Sequence, residues 1–204
     1  MSQVTRADLP TLPPLTQLNE ASEADFNQTV GLFFESAPAL GKRLYSLRPF
    51  ETYPAILEQA EPILLHALSD DEKVSVINAH PRLGTTETGQ LSVLSRAEQA
   101  GGLPGAPGAR PPTAGGSQTV DELRFLVARF DELNRAYEHK YGFRFLIFVD
   151  GRTKREILPV FEKRLNHSTR EQEMATALKD SFKIAASRLR VLLPADDLAH
   201  RASA

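Results

Sequence analysis

The chain has 204 residues, enough for one domain with a sizeable core, and its 24 basic and 26 acidic side chains leave a net charge of -2, with no basic excess to mark a nucleic-acid binder. The absence of cysteine excludes a disulfide framework, thiolate catalysis and cysteine-ligated zinc, and fits a reducing compartment. No apolar run approaches the roughly 20 residues that a bilayer span needs, and the polar, proline-punctuated start holds no apolar signal core, so a soluble intracellular protein is expected.

Helical punctuation dominates the chain. Ser22-Glu23-Ala24-Asp25 reads as a helix start, after which Phe26, Val30, Phe33 and Phe34 recur on one face. Pro38 is expected to end or kink that helix. A second helix is expected from about Tyr53 to Ala67. Ser69-Asp70-Asp71-Glu72 is a capping box for a third, with Val74, Ile77 and Val76 as its inward positions. Pro81 disfavours helical geometry at His80, so this helix should stop there.

Gln118 to Tyr141 carries a long helical period in Leu123, Leu126, Phe130, Leu133 and Tyr137, with Gly142 as the stop. Phe143 to Val149 is a short apolar run, either a strand or a buried extended segment; periodicity does not decide between them. Arg152 to Leu165 reads as another helix. Ser168-Thr169-Arg170-Glu171 reads as a further capping box, and Met174, Leu178, Phe182, Ala185, Leu189 and Leu192 follow at helical spacing. Gly101 to Gly116 is mostly Gly, Pro and Ala and offers little apolar surface to offset its ordering entropy, so it is expected to be a mobile surface insert. The ends are expected to fray.

Three positions carry candidate chemistry. His80, at a helix end, titrates near neutral pH and can give or take a proton; a surface or capping histidine is the plainer reading. Ser95-x-x-Glu98 matches a capping box, but Ser92 competes as the cap. With Ser92 as cap, Ser95, Glu98 and Gln99 share one helix face, which suits a ligand rich in amide groups. Arg188 borders the apolar stripe of the last helix, where it can snorkel, pair with a carboxylate or clamp an anion. His66, His139, His167 and His200 have no comparable context, and Arg152, Lys154 and Arg155 read as a solvated face. No spacing suggests a metal site, a phosphate-binding glycine loop or a Gly-x-Ser-x-Gly elbow.

Several short words occur together: Asn78-Ala79-His80-Pro81-Arg82-Leu83-Gly84, Leu91-Ser92-x-x-Ser95-x-x-Glu98-Gln99, and Asn134-x-x-Tyr137-x-x-Lys140-Tyr141-Gly142-Phe143-x-Phe145. Arg164-Leu165-Asn166, Glu171 and Ile184-Ala185-x-x-Arg188-Leu189 follow, and Leu18-Asn19 and Arg48-Pro49-Phe50 precede them. In this order they resemble the OHCU (2-oxo-4-hydroxy-4-carboxy-5-ureidoimidazoline) decarboxylase family over roughly residues 15 to 193. The resemblance implies an all-α, single-domain bundle of about seven to nine helices over 15–193. The Gly/Pro-rich insert would occupy 101–117, and 1–14 and 194–204 would be flexible ends.

The resemblance further implies a homodimer that needs no cofactor and makes (S)-allantoin in urate degradation; spacing, charge and composition give no expectation of a metal, nucleic-acid or membrane partner. His80 would be the catalytic histidine, Glu98 the catalytic carboxylate and Arg188 the site arginine, with Arg190 nearby as its rival. Pro81, the run Ser95, Arg96, Ala97, Glu98 and Gln99, and the run Ile147, Phe148, Val149, Asp150 and Gly151 would contact the substrate. A cytoplasmic location is expected. The final Arg201-Ala202-Ser203-Ala204 is not the Ser-Lys-Leu peroxisomal address, although a peroxisomal form stays open.

The chain departs from the family pattern in two places. The insert after Ala100 is longer than in compact members, and Arg144 replaces a common proline, where a looser backbone is expected. The competing readings are a non-catalytic helical interaction module that keeps the fold, a ring-opening purine-pathway hydrolase, and a helical nucleic-acid binder. The missing metal ligands count against the second and the charge balance against the third.

Overall fold

The computed structural model describes residues 4–84, 91–100, 102–106, 109 and 120–193. Among them are nine α-helices and no strand, as the all-α expectation has it. Most of the expected insert at 101–117, the expected tail at 194–204 and residues 1–3 lie outside the described residues.

Local chemistry sets most helix starts. After α1 (Leu15–Glu20), the Ser22 side chain accepts the Asp25 N–H and opens α2 (Glu23–Phe34). Pro38 begins α3 (Pro38–Tyr45) instead of merely ending its predecessor, because proline lacks only an N–H that a first turn leaves unused. Thr52 caps α4 (Tyr53–Pro62), which runs on as a π-helical turn over Ile63–Ala67. Ser69 and Glu72 form the expected capping box of α5 (Asp70–Ala79).

Ser92, not Ser95, caps α6 (Val93–Gln99). The long α7 (Val120–Tyr141) stops at Gly142, whose φ of +80° suits glycine. Thr153 caps α8 (Lys154–His167). For α9 (Arg170–Leu192) the cap is Thr169 paired with Gln172, one position beyond the expected Ser168–Glu171 box. Both spacings satisfy the same pattern, and the structure settles on Thr169 with Gln172.

Helix α9 is the axis of the bundle and packs on α2, α4, α5 and α7. Its Met174, Ala177, Leu178, Ile184, Ala185 and Leu189 are buried against the Phe26–Val30–Phe33–Phe34 face of α2 and the Ile56–Ala60 face of α4. Each large apolar side chain so buried contributes about 1.5–3 kcal/mol. On the other side, Tyr137 of α7 is ringed by Tyr141, Phe143, Phe145 and Phe161, and Phe145 stacks on Phe161 of α8. This aromatic cluster pins residues 143–149, which are mostly buried and belong to no helix or strand.

The ends of the chain words are tied by specific bonds. Asn19 exchanges two hydrogen bonds with the backbone of Phe50, and the Arg48 guanidinium, next to a cis Arg48–Pro49 bond, donates to the Asn19 and Ala21 carbonyls. Residues 4–14 lie against the core through Val4, Leu9 and Leu12, and the Tyr53 hydroxyl donates to the Pro13 carbonyl.

Candidate active site

Helix α5 ends where proline chemistry says it must. His80 leaves the helix at φ −72° and ψ 141°, and its N–H closes the last turn on the Ile77 carbonyl. The next residues are fastened one by one. The Arg82 guanidinium forks onto the Glu138 carboxylate of α7. The Asn134 amide donates to the Leu83 carbonyl. Gly84 has a φ of +82°, and a Cβ there would lie 2.8 Å from Phe130 Cβ, so the turn admits glycine alone.

Arg144 fastens the other side. Its N–H donates to Asn78 Oδ1, and its Nη1 donates to the Asn78 and His80 carbonyls at 2.7 and 3.0 Å. The looser backbone expected at this position is therefore not what the structure shows. Arginine makes an N–H bond that proline lacks, and adds a cationic cap to the helix C-terminus.

So held, the His80 side chain is buried, with Nε2 3.1 Å from the Ser181 hydroxyl of α9. Burial pushes its pKa down to about 3. The Arg188 cation adds to that effect, and the Glu35 carboxylate opposes it. The imidazole is therefore neutral at physiological pH.

Arg188 is only 1% exposed, so it does not border the apolar stripe but lies inside it. An unpaired buried guanidinium would be prohibitively costly, and this one is surrounded by acceptors. Nε and Nη2 fork onto the Glu98 carboxylate, both at 2.8 Å. Nη2 also reaches Glu35 at 2.8 Å and the Ser95 hydroxyl at 3.1 Å, and Nη1 faces the Leu32 and Phe33 carbonyls. Burial works against its charge, but Glu98 and then Glu35 outweigh burial, and its pKa is raised. Burial likewise acts to raise the Glu35 carboxyl, but Arg188 and Ser95 outweigh it and hold its pKa below the ordinary value.

His80 and Glu98 meet at one hollow. Its unfilled space is about 640 Å³, part of it open to solvent, and its walls come from five stretches of chain. His80, Pro81 and Leu83 form one side, and Ser95, Glu98 and Gln99 of α6 form the second. Phe145 to Gly151 form the third, with Ile184 and Ser187 of α9 behind. Leu103, inside the expected insert, is buried and also lines it.

Pro81, Ser95, Glu98, Gln99 and all five residues from Ile147 to Gly151 thus face one space. Two named neighbours do not: Arg96 is exposed, and Ala97 is buried toward the core. The Phe145–Gly151 wall is itself braced, since Arg164 Nη1 donates to the Leu146 carbonyl and Arg152 donates to the Phe148 and Val149 carbonyls. Sequence reasoning missed Glu35 and Ser181. Neither carries a pattern of its own; only the fold brings them to Arg188 and His80.

An all-α bundle with a neutral buried imidazole and an arginine-clamped carboxylate facing one small hollow defines a small-molecule site of acid–base type. The sequence profile of the OHCU decarboxylase family matches residues 19–190, and the chain belongs to that family, whose name is that of a carboxy-lyase.

Among relatives, it is 33% identical over 86% of its length to a 2-oxo-4-hydroxy-4-carboxy-5-ureidoimidazoline decarboxylase of Halalkalicoccus jeotgali, covering 89% of that protein. It is 32% identical, again over 86% of its length, to a uric acid degradation bifunctional protein of a Bacillus species, of which it spans only 31%. A crystal structure of an OHCU decarboxylase with (S)-allantoin shares the fold at a TM-score of 0.54 and 22% identity, over 75% of this chain and 87% of that one. A crystal structure of an (S)-allantoin synthase shares it at 0.56 and 24%, over 88% and 53%. No helix among the described residues is long and apolar enough to cross a membrane.

Proposed function

We propose that the hollow binds 2-oxo-4-hydroxy-4-carboxy-5-ureidoimidazoline and converts it to (S)-allantoin and CO2. The observation that carries this reading is the convergence of His80 and Glu98 on one cavity, with Arg188 fixing the carboxylate from behind. Family membership and the named activity of the relatives support it. The domain proposed to do this runs from 15 to 193, with 101–117 as an insert in it. A homodimer is part of the same reading, and sedimentation checks it.

The chemistry assigns roles. The bond between the ring carbon and the carboxylate breaks and releases CO2. Its electron pair moves toward the neighbouring imine, whose nitrogen takes up a proton. The hydroxyl on the same carbon then loses its proton to become a carbonyl, while the ureido-bearing carbon gains one on a single face. A neutral His80 suits the removal of the hydroxyl proton, since a base must be unprotonated to act. Glu98 and Gln99, the last two residues of α6, suit the ureido and ring N–H groups as acceptors. The backbone of Ile147–Gly151 offers further amide partners. A largely apolar wall from Leu83, Phe145, Ile147 and Ile184 limits water at the reacting face and favours loss of the charged carboxylate.

The test is circular dichroism of freshly oxidised urate with and without the protein. Rapid growth of one allantoin enantiomer is expected. A signal that rises no faster than in buffer would end the reading.

A further inference from the structure

Arg188 looks at first like a cation for the substrate's carboxylate, but its donors are spent. A guanidinium has five N–H groups. Here they face both Glu98 oxygens, Glu35, the Ser95 hydroxyl and two backbone carbonyls. None is left to offer a ligand while Glu35 and Glu98 both hold it. Arg188 acts on Glu98, through a two-pronged fork that fixes how the carboxylate faces the hollow.

What keeps Arg188 in that pose is Glu35, the residue after α2. One of its oxygens, Oε1, accepts from the Ser95 hydroxyl at 2.6 Å and from the Ser92 hydroxyl at 3.1 Å, and pairs with Arg188 Nη2 at 2.8 Å. A single oxygen thereby joins the first turn of α6, including its cap, to the C-terminal part of α9. The backbone bears a cost for it: Glu35 has φ 56° and ψ −157°, a conformation that glycine adopts freely and other residues resist. Strain of this kind persists where its surroundings demand the side chain, and among the described residues Glu35 is held by these three side chains.

We propose that Glu35 is a positioning residue for the reaction assigned above, setting Glu98 through Arg188 and Ser95. The proposal rests on the reading of the hollow as the site of that reaction. Glu35 is absent from the hollow's walls, so it works without touching substrate.

Glu35→Gln keeps an acceptor for the serines and removes the charge; Glu35→Ala removes both. With wild type and each variant, kcat and KM are measured on freshly generated substrate, and the Arg188 Nε–H signal is followed by NMR, assigned through Arg188→Lys. Misplacing a catalytic group by an ångström is enough for large rate losses, so kcat is expected to fall about tenfold or more in Glu35→Gln and further in Glu35→Ala. KM is expected to stay within about threefold, as for a group not used in ground-state binding. The Arg188 signal is expected to shift and to lose its protection from exchange.

Should Glu35→Ala fail to fold, Glu35→Gln decides alone. A kcat per folded molecule equal to wild type overturns the proposal, and so does an unaltered Arg188 signal. Wild-type protein that makes no (S)-allantoin would instead sink the assigned reaction, and the Arg188 signal would still decide whether Glu35 holds the clamp.

Discussion

Arg144 caps the helix that ends at His80: its Nη1 lies 3.0 Å from the His80 carbonyl and 2.7 Å from that of Asn78. Two carbonyls left open by the end of α5 are thereby satisfied by a cation, where the helix dipole favours one. Arg144→Met is expected to destabilise the fold by about 1–2 kcal/mol. It should also lower the rate of allantoin formation beyond what the unfolded fraction explains, because the backbone carrying the imidazole is released. Thermal melts and initial rates on one preparation measure both, and an unchanged rate per folded molecule would count against this role for the cap.

Replacing His80 by Asn removes the base but leaves a polar group for Ser181. Acid–base groups of this kind contribute about 10²–10⁴ in rate. A loss of that size is expected, with far-ultraviolet dichroism and melting temperature close to wild type. An Asn variant that still makes one enantiomer quickly would transfer the acid–base role to another group.

The depressed pKa of His80 also links stability to pH. In the unfolded chain the imidazole has its ordinary value of 6.5, and in the fold about 3. Below pH 6.5 the unfolded state therefore takes up a proton that the native state refuses. Stability is complete above pH 6.5 and falls as pH drops toward 3, by up to about 1.4 kcal/mol per pH unit. Glu35 and Glu173, whose carboxyls are held low, lose their stabilising contributions only below about pH 4.5. Urea melts between pH 7 and 5 thus isolate the histidine, and His80→Asn is expected to flatten the decline. Equal slopes in the two proteins would contradict it.

Behind the hollow, Arg164 Nε of α8 donates to Glu173 Oε2 of α9, which also accepts from the Tyr137 hydroxyl, while Arg164 Nη1 donates to the Leu146 carbonyl. Both charged side chains are almost fully buried. Glu173→Leu takes away the nearer of the two carboxylates that face Arg164, leaving Asp180 3.6 Å from Nη1, and is expected to cost about 3–5 kcal/mol, whereas Arg164→Met together with Glu173→Leu should cost less, because Asp180 keeps Lys183 at 2.9 Å. Urea midpoints of the single and double variants test this. A double variant as unstable as the sum of the singles would show that the pair is not a unit.

Much of this architecture was legible from neighbours in the chain. Ser22, Ser69 and the His80–Pro81 break are local events, decided by residues within one helical turn, and the structure has them where the pattern puts them. The Ser92 alternative for α6 was readable too, and it is the arrangement that puts Ser95, Glu98 and Gln99 on one wall. Legibility ended where distance began. Arg188 reads as a border residue because its acceptors lie 90 and 153 positions away, and a buried cation has no local signature. Glu35 gave no signal at all, since a glutamate after an apolar stripe is usually surface. The run from Phe143 to Val149 stayed ambiguous because its burial comes from Tyr137 and Phe161, not from a neighbouring strand.

That unladdered run has an evolutionary corollary. A ligand gripped through main-chain amides is recognised by the path of the chain and not by the identity of each side group. Ile147, Phe148 and Val149 can then exchange for residues of similar bulk at little expense to recognition. On the proposed reading, losing or gaining one position between Phe145 and Gly151 would shift every following residue along this wall and change which amides face the hollow.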